Sequence, residues 1–536
     1  MSKNRNKCKR NTTCHYSKQE LVVKIISNLD FEYRSVDGSG NNRIHPEWGK
    51  EGEKLLRLCP QDYSDGRSEP SGQDRPSSRL ISNEIFNQVE DIPNPQKASD
   101  MFWLWGQFID HLLDLTPEND DPVEPFNILV PIGDPYFDPE STGSKTIPLN
   151  RSIYDSNTGQ DNPRQQLNLI TSFIDGSNIY GSNHSRNKYC RKGADGQLLL
   201  SQGYMLPYNN GDMNNAGGNG TGMYVAGDVR ANENVALTAM HTLWAREHNR
   251  WAKLLKDSNP EWTDEKLYQN ARAIVEAELQ VITYNEFLPL LLGFNIEKYS
   301  GYREDTNPGI ANEFSTAAYR LGHSLVSSEF KRLNNDGEPI WCGNIALKDA
   351  YFCPWKLSNE GGVDPLFKGF SESLSQKLDS KVIDDLRNFL FGNPGEGGLD
   401  LVSLNIQRGR DHGLSDYNTA RESYGLDKVN TFEEITSDET IQIKLEQLYE
   451  NVDNIDLWVG ILVEDPLEEG MVGELCSAIV KDQFERVRDG DRFWYENRFP
   501  RNLRRLLRKT TLREVIYKNT GVRHLHKYVM VKKCRH

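Results

Sequence analysis

The chain has 536 residues, and its 63 Lys and Arg residues against 78 Asp and Glu residues give a formal net charge of -15. This acidic balance argues against a general nucleic-acid-binding protein, and we interpret the small basic clusters at 3–10, 501–513 and 532–535 as solvated surface. No apolar run approaches the roughly 18 residues of a membrane span. The sequence therefore predicts a globular protein without a transmembrane segment and without a nucleic-acid partner.

Composition and linkers indicate one large domain. The chain is 37% hydrophobic, with 10 Trp, 22 Tyr and 20 Phe to form a core, while a mean hydropathy of -0.68 indicates long polar loops. No Pro-rich or Gly/Ser-rich linker divides it. We predict a basic N-terminal tail with a short helix over 1–32, the main domain over 33–525 and a basic C-terminal tail over 526–536.

Apolar periodicity predicts a mainly α fold, a single large helical domain with long loops and little β-sheet. Long polar loops are expected over 116–162 and 208–222. The predicted helices cover residues 17–30, 80–90, 97–114, 233–256, 263–293, 310–327, 373–391, 439–450, 471–487 and 500–509.

Cysteine usage and the first residues bear on the compartment. The eight cysteines form no C-x-x-C pair, so neither a zinc cluster nor a disulfide scaffold is indicated, although Cys342 and Cys353 are close enough in sequence for a local bridge. Residues 1–19 lack the apolar core of a signal peptide. We expect a cytoplasmic or non-classically exported protein rather than conventional secretion. The sequence leaves the oligomeric state open.

A carboxylate and a histidine lie in an otherwise apolar helix. Residues 101–113 place large apolar side chains at helical spacing and also carry Asp110 and His111. Burying either polar group costs several kcal/mol, by rough estimate, unless something pairs with it. A lone histidine in such a helix is most often a satisfied core residue, so the interpretation depends on the rest of the chain.

Three further motifs combine charge with histidine or glycine. They are residues 230–233 (RANE), 319–323 (YRLGH) and 404–413 (LNIQRGRDHG). A first-turn glutamate such as Glu233 is favoured by the helix dipole, whereas Arg230 just before the helix is not. Gly322 would let another group approach closely. Each motif taken alone is more often structural than functional.

Taken together and in order, these motifs resemble those of the animal haem peroxidases. The resemblance covers about residues 33–525 and implies a mainly α haem protein. The matching segments are 33–42, 105–111, 171–181 (TSFIDGSNIYG), 227–250, 271–293, 319–323, 361–370, 404–418 and 488–497 (RDGDRFWYEN).

The resemblance implies roles for five residues at a haem iron. His111 would be the distal base that moves a proton between the peroxide oxygens, with Arg230 as its cationic partner. Gln107, one helical turn earlier, would position a halide or a distal water. His323 would be the proximal iron ligand, oriented by Asn405.

The resemblance also implies how haem b is held. Asp110 and Glu233 match the two carboxylates that form ester links to haem methyl groups. Arg320 and Arg408 match residues near the haem propionates. The methionine that makes a third haem link in one member of the family is here Asn234, so a sulfonium bond is not expected.

Calcium is a further implied cofactor. Thr171, Phe173, Asp175 and Ser177 match the oxygen-donor loop of the family, and hard cations take such ligands. The family places a further aspartate directly after the distal histidine, where this chain has Leu112. One carboxylate fewer is expected to weaken the site, so calcium is possible here rather than assured.

The implied function is a peroxidase that reduces hydrogen peroxide and oxidises a halide, thiocyanate or a small phenolic donor, as in a response to oxidative stress. Two alternatives remain. A fatty-acid dioxygenase on the same fold would need a radical-forming tyrosine three residues before His323, where this chain has Arg320, with Tyr319 one residue further out. A catalytically silent interaction module is disfavoured because the motif residues are retained.

Overall fold

Helices supply most of the regular structure in residues 17–532, the part of the chain that the computed structural model describes. Predictions that fall on residues 1–16 and 533–536, within the two basic tails, lie outside this part. The α-helices are α1 Lys18–Ile26, α2 Ser78–Ile85, α3 Asp100–Leu113, α4 Ser177–Tyr180, α5 His184–Cys190, α6 Val235–Ser258, α7 Asp264–Ile282, α8 Leu288–Leu292, α9 Asn312–Thr316, α10 Trp355–Asn359, α11 Asp364–Glu372, α12 Asp384–Arg387, α13 Leu401–Asp411, α14 Tyr417–Ser423, α15 Glu439–Tyr449, α16 Leu457–Val463, α17 Glu474–Asp489, α18 Tyr495–Arg498, α19 Arg501–Leu507 and α20 Leu512–Asn519.

Short helices of other types and a few strands complete the secondary structure. A π-helical turn, Thr283–Phe287, joins α7 to α8, and 3₁₀ helices cover Gln202–Tyr204, Ala318–Ser324, Leu347–Asp349, Phe432–Glu434 and Val452–Asn454. The strands are β1 Glu53–Lys54, β2 Ile128–Leu129, β3 Thr146–Ile147, β4 Leu167–Asn168, β5 Glu329–Phe330 and β6 Ile345–Ala346. Within the described residues they pair only as two-stranded antiparallel sheets, β1 with β4, β2 with β3 and β5 with β6. The predicted mainly α class with little sheet is confirmed.

The apolar stripe of α3 forms the centre of the core. Trp105 and Phe108 are fully buried, and their rings lie 5.9 Å and 6.4 Å from that of Trp244 on α6. Aromatic side chains bury large areas and contribute correspondingly to core stability. The opposite side of α3 carries Gln107, Asp110 and His111, so core packing fixes the direction in which these polar groups point.

The helix predicted over 373–391 is wrong. Residues 374 and 376 instead form isolated bridges with residues 99 and 93, and a helix resumes only at α12. Ser373 donates its hydroxyl to the Gly369 carbonyl, and Ser375 donates to the Ala98 carbonyl, at 3.0 and 3.1 Å. Serine side chains that bond the backbone in this way compete with helix formation.

Both ends of the described chain pack on the domain. Val22 and Ile26 of α1 are fully buried. Near the C-terminus, the carbonyl of Met530 accepts a hydrogen bond from the Ser99 amide at 2.9 Å. The domain boundaries at 33 and 525 stay a prediction.

The local disulfide considered for Cys342 and Cys353 is wrong. Both are free, as are the other cysteines within residues 17–532. The Cys342 thiol faces the Glu360 carbonyl at 3.6 Å, and the Cys353 thiol faces that of Asp349 at 3.2 Å. Among the same residues, no helix is long and apolar enough to cross a membrane.

A buried arginine connects α2 to α13. Arg79 is fully buried; its Nε donates to Asp134 at 2.7 Å and its Nη1 to Asp400 at 2.8 Å. Asp400 in turn caps the start of α13 by accepting from the Val402 amide at 3.0 Å. Because removing one partner of a buried pair leaves an uncompensated charge, this network fixes the helix that carries Asn405.

Candidate active site

A cavity of about 390 Å³ lies between α3, the turn before α6, the 3₁₀ helix Ala318–Ser324 and α13. Its apolar walls include Phe287 and Leu404. Residues that the sequence places more than 200 positions apart line this one space. The predicted site residues among them are Gln107, Asp110, His111, Arg230, Glu233, Arg320 and His323.

Arg230 is held by Asp228 through two side-chain hydrogen bonds. Its Nε donates to Asp228 Oδ1 and its Nη2 to Oδ2, both at 2.9 Å, and Nη2 also donates to the Asp114 carbonyl at 2.8 Å. Burial opposes ionisation of Asp228, but the charge and hydrogen bonds of Arg230 outweigh it and hold the pKa of that carboxyl well below its usual value. A fixed cation therefore faces the cavity.

His111 lies beside this ion pair in its neutral form. It is 4% exposed, and its Nδ1 is 3.8 Å from Asp228 Oδ1. Burial, and then the charge of Arg230, lower the pKa of His111 well below its ordinary value. A neutral imidazole next to a guanidinium can accept a proton while the cation stabilises developing negative charge.

Gln107, Glu233 and Asn234 form a chain of hydrogen bonds along one wall. Gln107 Nε2 donates to Glu233 Oε1 at 2.9 Å, and Asn234 Nδ2 donates to Gln107 Oε1 at 3.2 Å. Asn234 also caps α6, because its Oδ1 accepts from the Leu237 amide at 2.9 Å. Burial raises the pKa of Glu233 to about 7. The Gln107 amide is thus fixed in the cavity by its neighbours.

Asp110 shares the cavity with a second carboxyl group, that of Asp114, which directly follows the end of α3. Burial, followed by the proximity of Asp114, raises the pKa of Asp110 well above its ordinary value. Arg230 and Arg320 act in the opposite direction. A carboxyl group without a close ion pair in such a place is available to a ligand.

His323 and Asn405 meet from two different elements. Asn405 Nδ2 on α13 lies 2.7 Å from His323 Nδ1 on the 3₁₀ helix, and Arg320 Nη1 donates to Asn405 Oδ1 at 3.1 Å. Burial lowers the pKa of His323 to about 3, so its imidazole is neutral. A flip of the Asn405 amide would offer its oxygen to an Nδ1–H, the arrangement of an iron-bound imidazole.

These features fit haem. The cavity has apolar walls, a neutral imidazole that can ligate iron through Nε2, a second neutral imidazole with a neighbouring cation, and three carboxyl groups. Gly322 beside His323 lines the cavity, and apart from its own helix and chain neighbours no described atom lies within 4 Å of the position that a Cβ would take there. The residues present therefore suit a flat, largely apolar macrocycle with acidic substituents.

Arg408 does not reach this cavity. It is not among the described residues that line the cavity. Its guanidinium instead pairs with Asp411 and Glu118 at 2.9 and 3.0 Å. It acts on Arg320 by charge repulsion, since it contributes to lowering the pKa of that guanidinium after burial has done so. Direct propionate contact is thus better suited to Arg320.

The implied calcium loop lies behind α3, outside the cavity. Asp175 supplies the one carboxylate of residues 171–177, and Leu112 is fully buried with no oxygen to offer from its side chain. Arg272 Nη2 lies 3.9 Å from Asp175 Oδ2. Calcium in proteins takes about six to eight oxygen ligands, which come from several carboxylates, carbonyl groups and waters. Within residues 17–532 no group of three or more His, Cys, Asp or Glu side chains is arranged to hold a metal ion, and a single carboxylate beside a guanidinium is a poor set of ligands for calcium.

Sequence reasoning missed two acidic residues of the site. Asp228 lies two residues before Arg230, and this short spacing in a turn is a weak signal for side-chain pairing. Asp114 lies four residues after Asp110, a spacing that places two helical residues on one face. Neither signal identifies a partner without the fold.

Comparisons with known proteins agree with the haem site inferred from the cavity. The model of the animal haem peroxidase family matches residues 33–530. Peroxidasin of Drosophila melanogaster is 38% identical over 515 residues, which cover 87% of this chain but 34% of that protein. The chain therefore spans about a third of the length of that relative. The solved structure of peroxidase A from Dictyostelium discoideum is 36% identical with a TM-score of 0.87 and covers 94% of this chain and 100% of that one.

A more distant structure shares the fold alone. Fatty acid alpha-dioxygenase of Oryza sativa is 19% identical with a TM-score of 0.76, over 94% of this chain and 88% of that one. The family model that matches nearly the whole chain decides between the peroxidase and the dioxygenase relatives. The chain belongs to the animal haem peroxidase family.

Replacing Asp228 by Asn removes the charge that fixes Arg230. We expect the haem-loaded variant to reduce hydrogen peroxide about 10- to 100-fold more slowly, the usual cost of losing a partner that orients an active group. Rapid-mixing absorption with peroxide measures this rate, and exposed Asp336→Asn is the matched control. A D228N rate equal to wild type would show that Arg230 does not depend on this pair.

Proposed function

We propose that the protein is a haem b peroxidase that reduces hydrogen peroxide with electrons from a small donor. The observation that carries this proposal is a neutral His111 beside a paired Arg230, in the same cavity as a neutral His323. Haem, when bound, supplies the iron redox chemistry that cleaves the O–O bond. With a one-electron donor such as a phenol, one peroxide takes up two protons and two electrons to give two waters, and two donors each lose one electron.

The chain's own residues handle protons and charge. His111 turns its Nδ1 towards Asp228, which leaves Nε2 to take a proton from peroxide. Arg230 stabilises the negative charge that this step creates. On the other element, His323 would ligate iron, and Arg320 would pair with a propionate once it releases the Asn405 oxygen.

We further propose that Asp110 and Glu233 form ester links to haem. Each link replaces a C–H bond of a haem methyl group and the O–H bond of the carboxyl group by one C–O bond, and the two protons and two electrons released reduce one hydrogen peroxide to two waters. Both carboxyl groups line the cavity. The raised pKa of Glu233, about 7, keeps part of it protonated near neutral pH.

The links are tested by extraction of haem into acidified organic solvent after exposure to peroxide. We expect wild-type protein to retain haem, whereas the double variant D110N/E233Q should release it, because amides do not form esters. The double variant D336N/E338Q, at exposed positions, is the matched control. Complete release from wild type would contradict the links.

The cavity opens through an aromatic rim that suits phenolic donors. Phe391 lines the cavity and is 40% exposed. Tyr351, also in the cavity lining, and Phe352 each hold their ring 5.1 Å from that of Phe391. Stacking on such rings favours planar donors, while halide and thiocyanate are small enough to pass without it.

The rim is tested by Phe391→Ala. We expect KM for a phenolic donor to rise several-fold while KM for iodide stays unchanged, because only the phenol loses a stacking surface. Steady-state oxidation of phenol, iodide, bromide and thiocyanate side by side gives these values. The matched control is Phe294→Ala, which is 39% exposed. Equal effects on phenol and iodide would contradict a stacking role.

A fatty-acid dioxygenase is the second candidate. Tyr319 favours it, because this residue is buried, lines the cavity and has a hydroxyl that no described group hydrogen-bonds. Arg320 at the position nearer His323 opposes it. Oxygen uptake with a polyunsaturated fatty acid, in the absence of an electron donor, would establish this function. The third candidate is a catalytically silent interaction module. The iron content of the purified protein tests it, because such a module would bind no haem.

The distal base is tested by His111→Ala. We expect the rate of peroxide reduction to fall about 10²- to 10⁴-fold, the range for losing a general base, with the haem absorption band retained. In wild type the rate should hold as pH falls through 6.5, because the pKa of His111 lies well below that value, and decline only when the imidazole protonates. A variant rate equal to wild type would contradict the assignment of the base.

A further inference from the structure

The loop of residues 171–177 braces the helix that carries the distal residues. Ser177 Oγ donates to the Leu112 carbonyl at 3.3 Å, and the next residue, Asn178, donates through Nδ2 to the Phe108 carbonyl at 2.8 Å. These two bonds lie on either side of His111 along α3. Whatever holds the loop therefore also holds the distal base in place.

The oxygen atoms of the loop bond one another. Thr171 Oγ1 donates to Asp175 Oδ2 at 3.0 Å, and the Ser177 amide donates to Oδ1 at 2.8 Å. Both carboxylate oxygens of Asp175 thus already have donors. The adjacent Leu112 adds hydrocarbon where a further carboxylate would be needed for a divalent ion.

Two guanidinium groups face the loop. Arg272 Nη2 lies 3.9 Å from Asp175 Oδ2, and its side chain is 1% exposed. The guanidinium of Arg34 lies 5.2 Å from the centre of the Phe173 ring, a cation–π contact. Arg272 thus lies near a carboxylate that the resemblance implies as a calcium ligand, and Arg34 packs on the ring of a loop residue.

The surrounding charges already balance without a metal ion. Arg272 pairs with Glu276 at 2.8 Å, Arg34 with Asp491 at 2.8 Å, and Arg498 with Glu276 at 2.8 Å. No side chain of the cluster is more than 5% exposed. The cluster contains three guanidinium groups and three carboxylates, namely Arg34, Arg272, Arg498, Asp175, Glu276 and Asp491.

A divalent ion would add two uncompensated positive charges to this cluster. In a buried region of low dielectric constant such an excess is strongly unfavourable, and it would lie close to the Arg272 guanidinium. We propose that Arg272, supported by Arg34, takes the place of calcium at loop 171–177. The protein thus positions α3 and His111 without a divalent cation.

The metal content of the wild-type protein tests the first half of this proposal. Haem-loaded protein is dialysed against EGTA or against calcium chloride and then desalted. We expect elemental analysis to find far less than one calcium per chain in both samples, the thermal midpoint Tm to be the same, and added Tb³⁺ to give no sensitised luminescence. One calcium per chain, or a lower Tm after EGTA, would overturn the proposal.

Arg272→Met tests the second half. It removes the guanidinium nearest Asp175 and one of the three that face Glu276, so we expect a markedly lower Tm that EGTA does not change. Arg272→Lys should restore much of the loss because it keeps the charge. Arg303→Met, whose side chain is 57% exposed, is the matched control and should leave Tm unchanged. Wild-type stability of R272M would overturn the role of Arg272, and the wild-type metal analysis remains decisive if R272M does not fold.

Discussion

The ion pair between Asp228 and Arg230 is the constraint around which the cavity is organised. A guanidinium in so enclosed a space would be costly without a partner, and Asp228 provides one that is itself 2% exposed. The same carboxylate lies 3.8 Å from His111 Nδ1. One buried carboxylate thus fixes the cation and faces the base, while burial and then the charge of Arg230 keep the imidazole neutral. Proton acceptance and charge stabilisation come from this single arrangement.

The scaffold delivers the groups from separate elements. Core packing of α3 against α6 turns Gln107, Asp110 and His111 into the cavity, and the turn before α6 brings Arg230. His323 comes from a 3₁₀ helix and Asn405 from α13, which Arg79 anchors to α2. Behind α3, the arginine cluster at loop 171–177 supports the same helix from its other side. Helix α3 therefore both carries site residues and receives structural support from the loop behind it.

Much of the site could be predicted from the sequence because its residues lie in short ordered motifs. His111, Arg230 and His323 share one cavity, as the resemblance implies. Asp228 could not be identified, because a carboxylate two residues from an arginine has many possible partners. The pairing of Arg408 with Asp411 and Glu118 could not be predicted, because sequence does not show which carboxylates take up its charge. The helix predicted over 373–391 does not form, because serine side chains bond the backbone there instead.

The central claim is that His323 ligates haem iron while His111 faces the peroxide. The most direct measurement is electron paramagnetic resonance of the haem-loaded protein and of His323→Gly, with and without added imidazole. The account predicts an imidazole-ligated high-spin signal in wild type, its loss in H323G and its return with imidazole. Persistence of the wild-type signal in H323G, with loss in His111→Gly instead, would contradict the account.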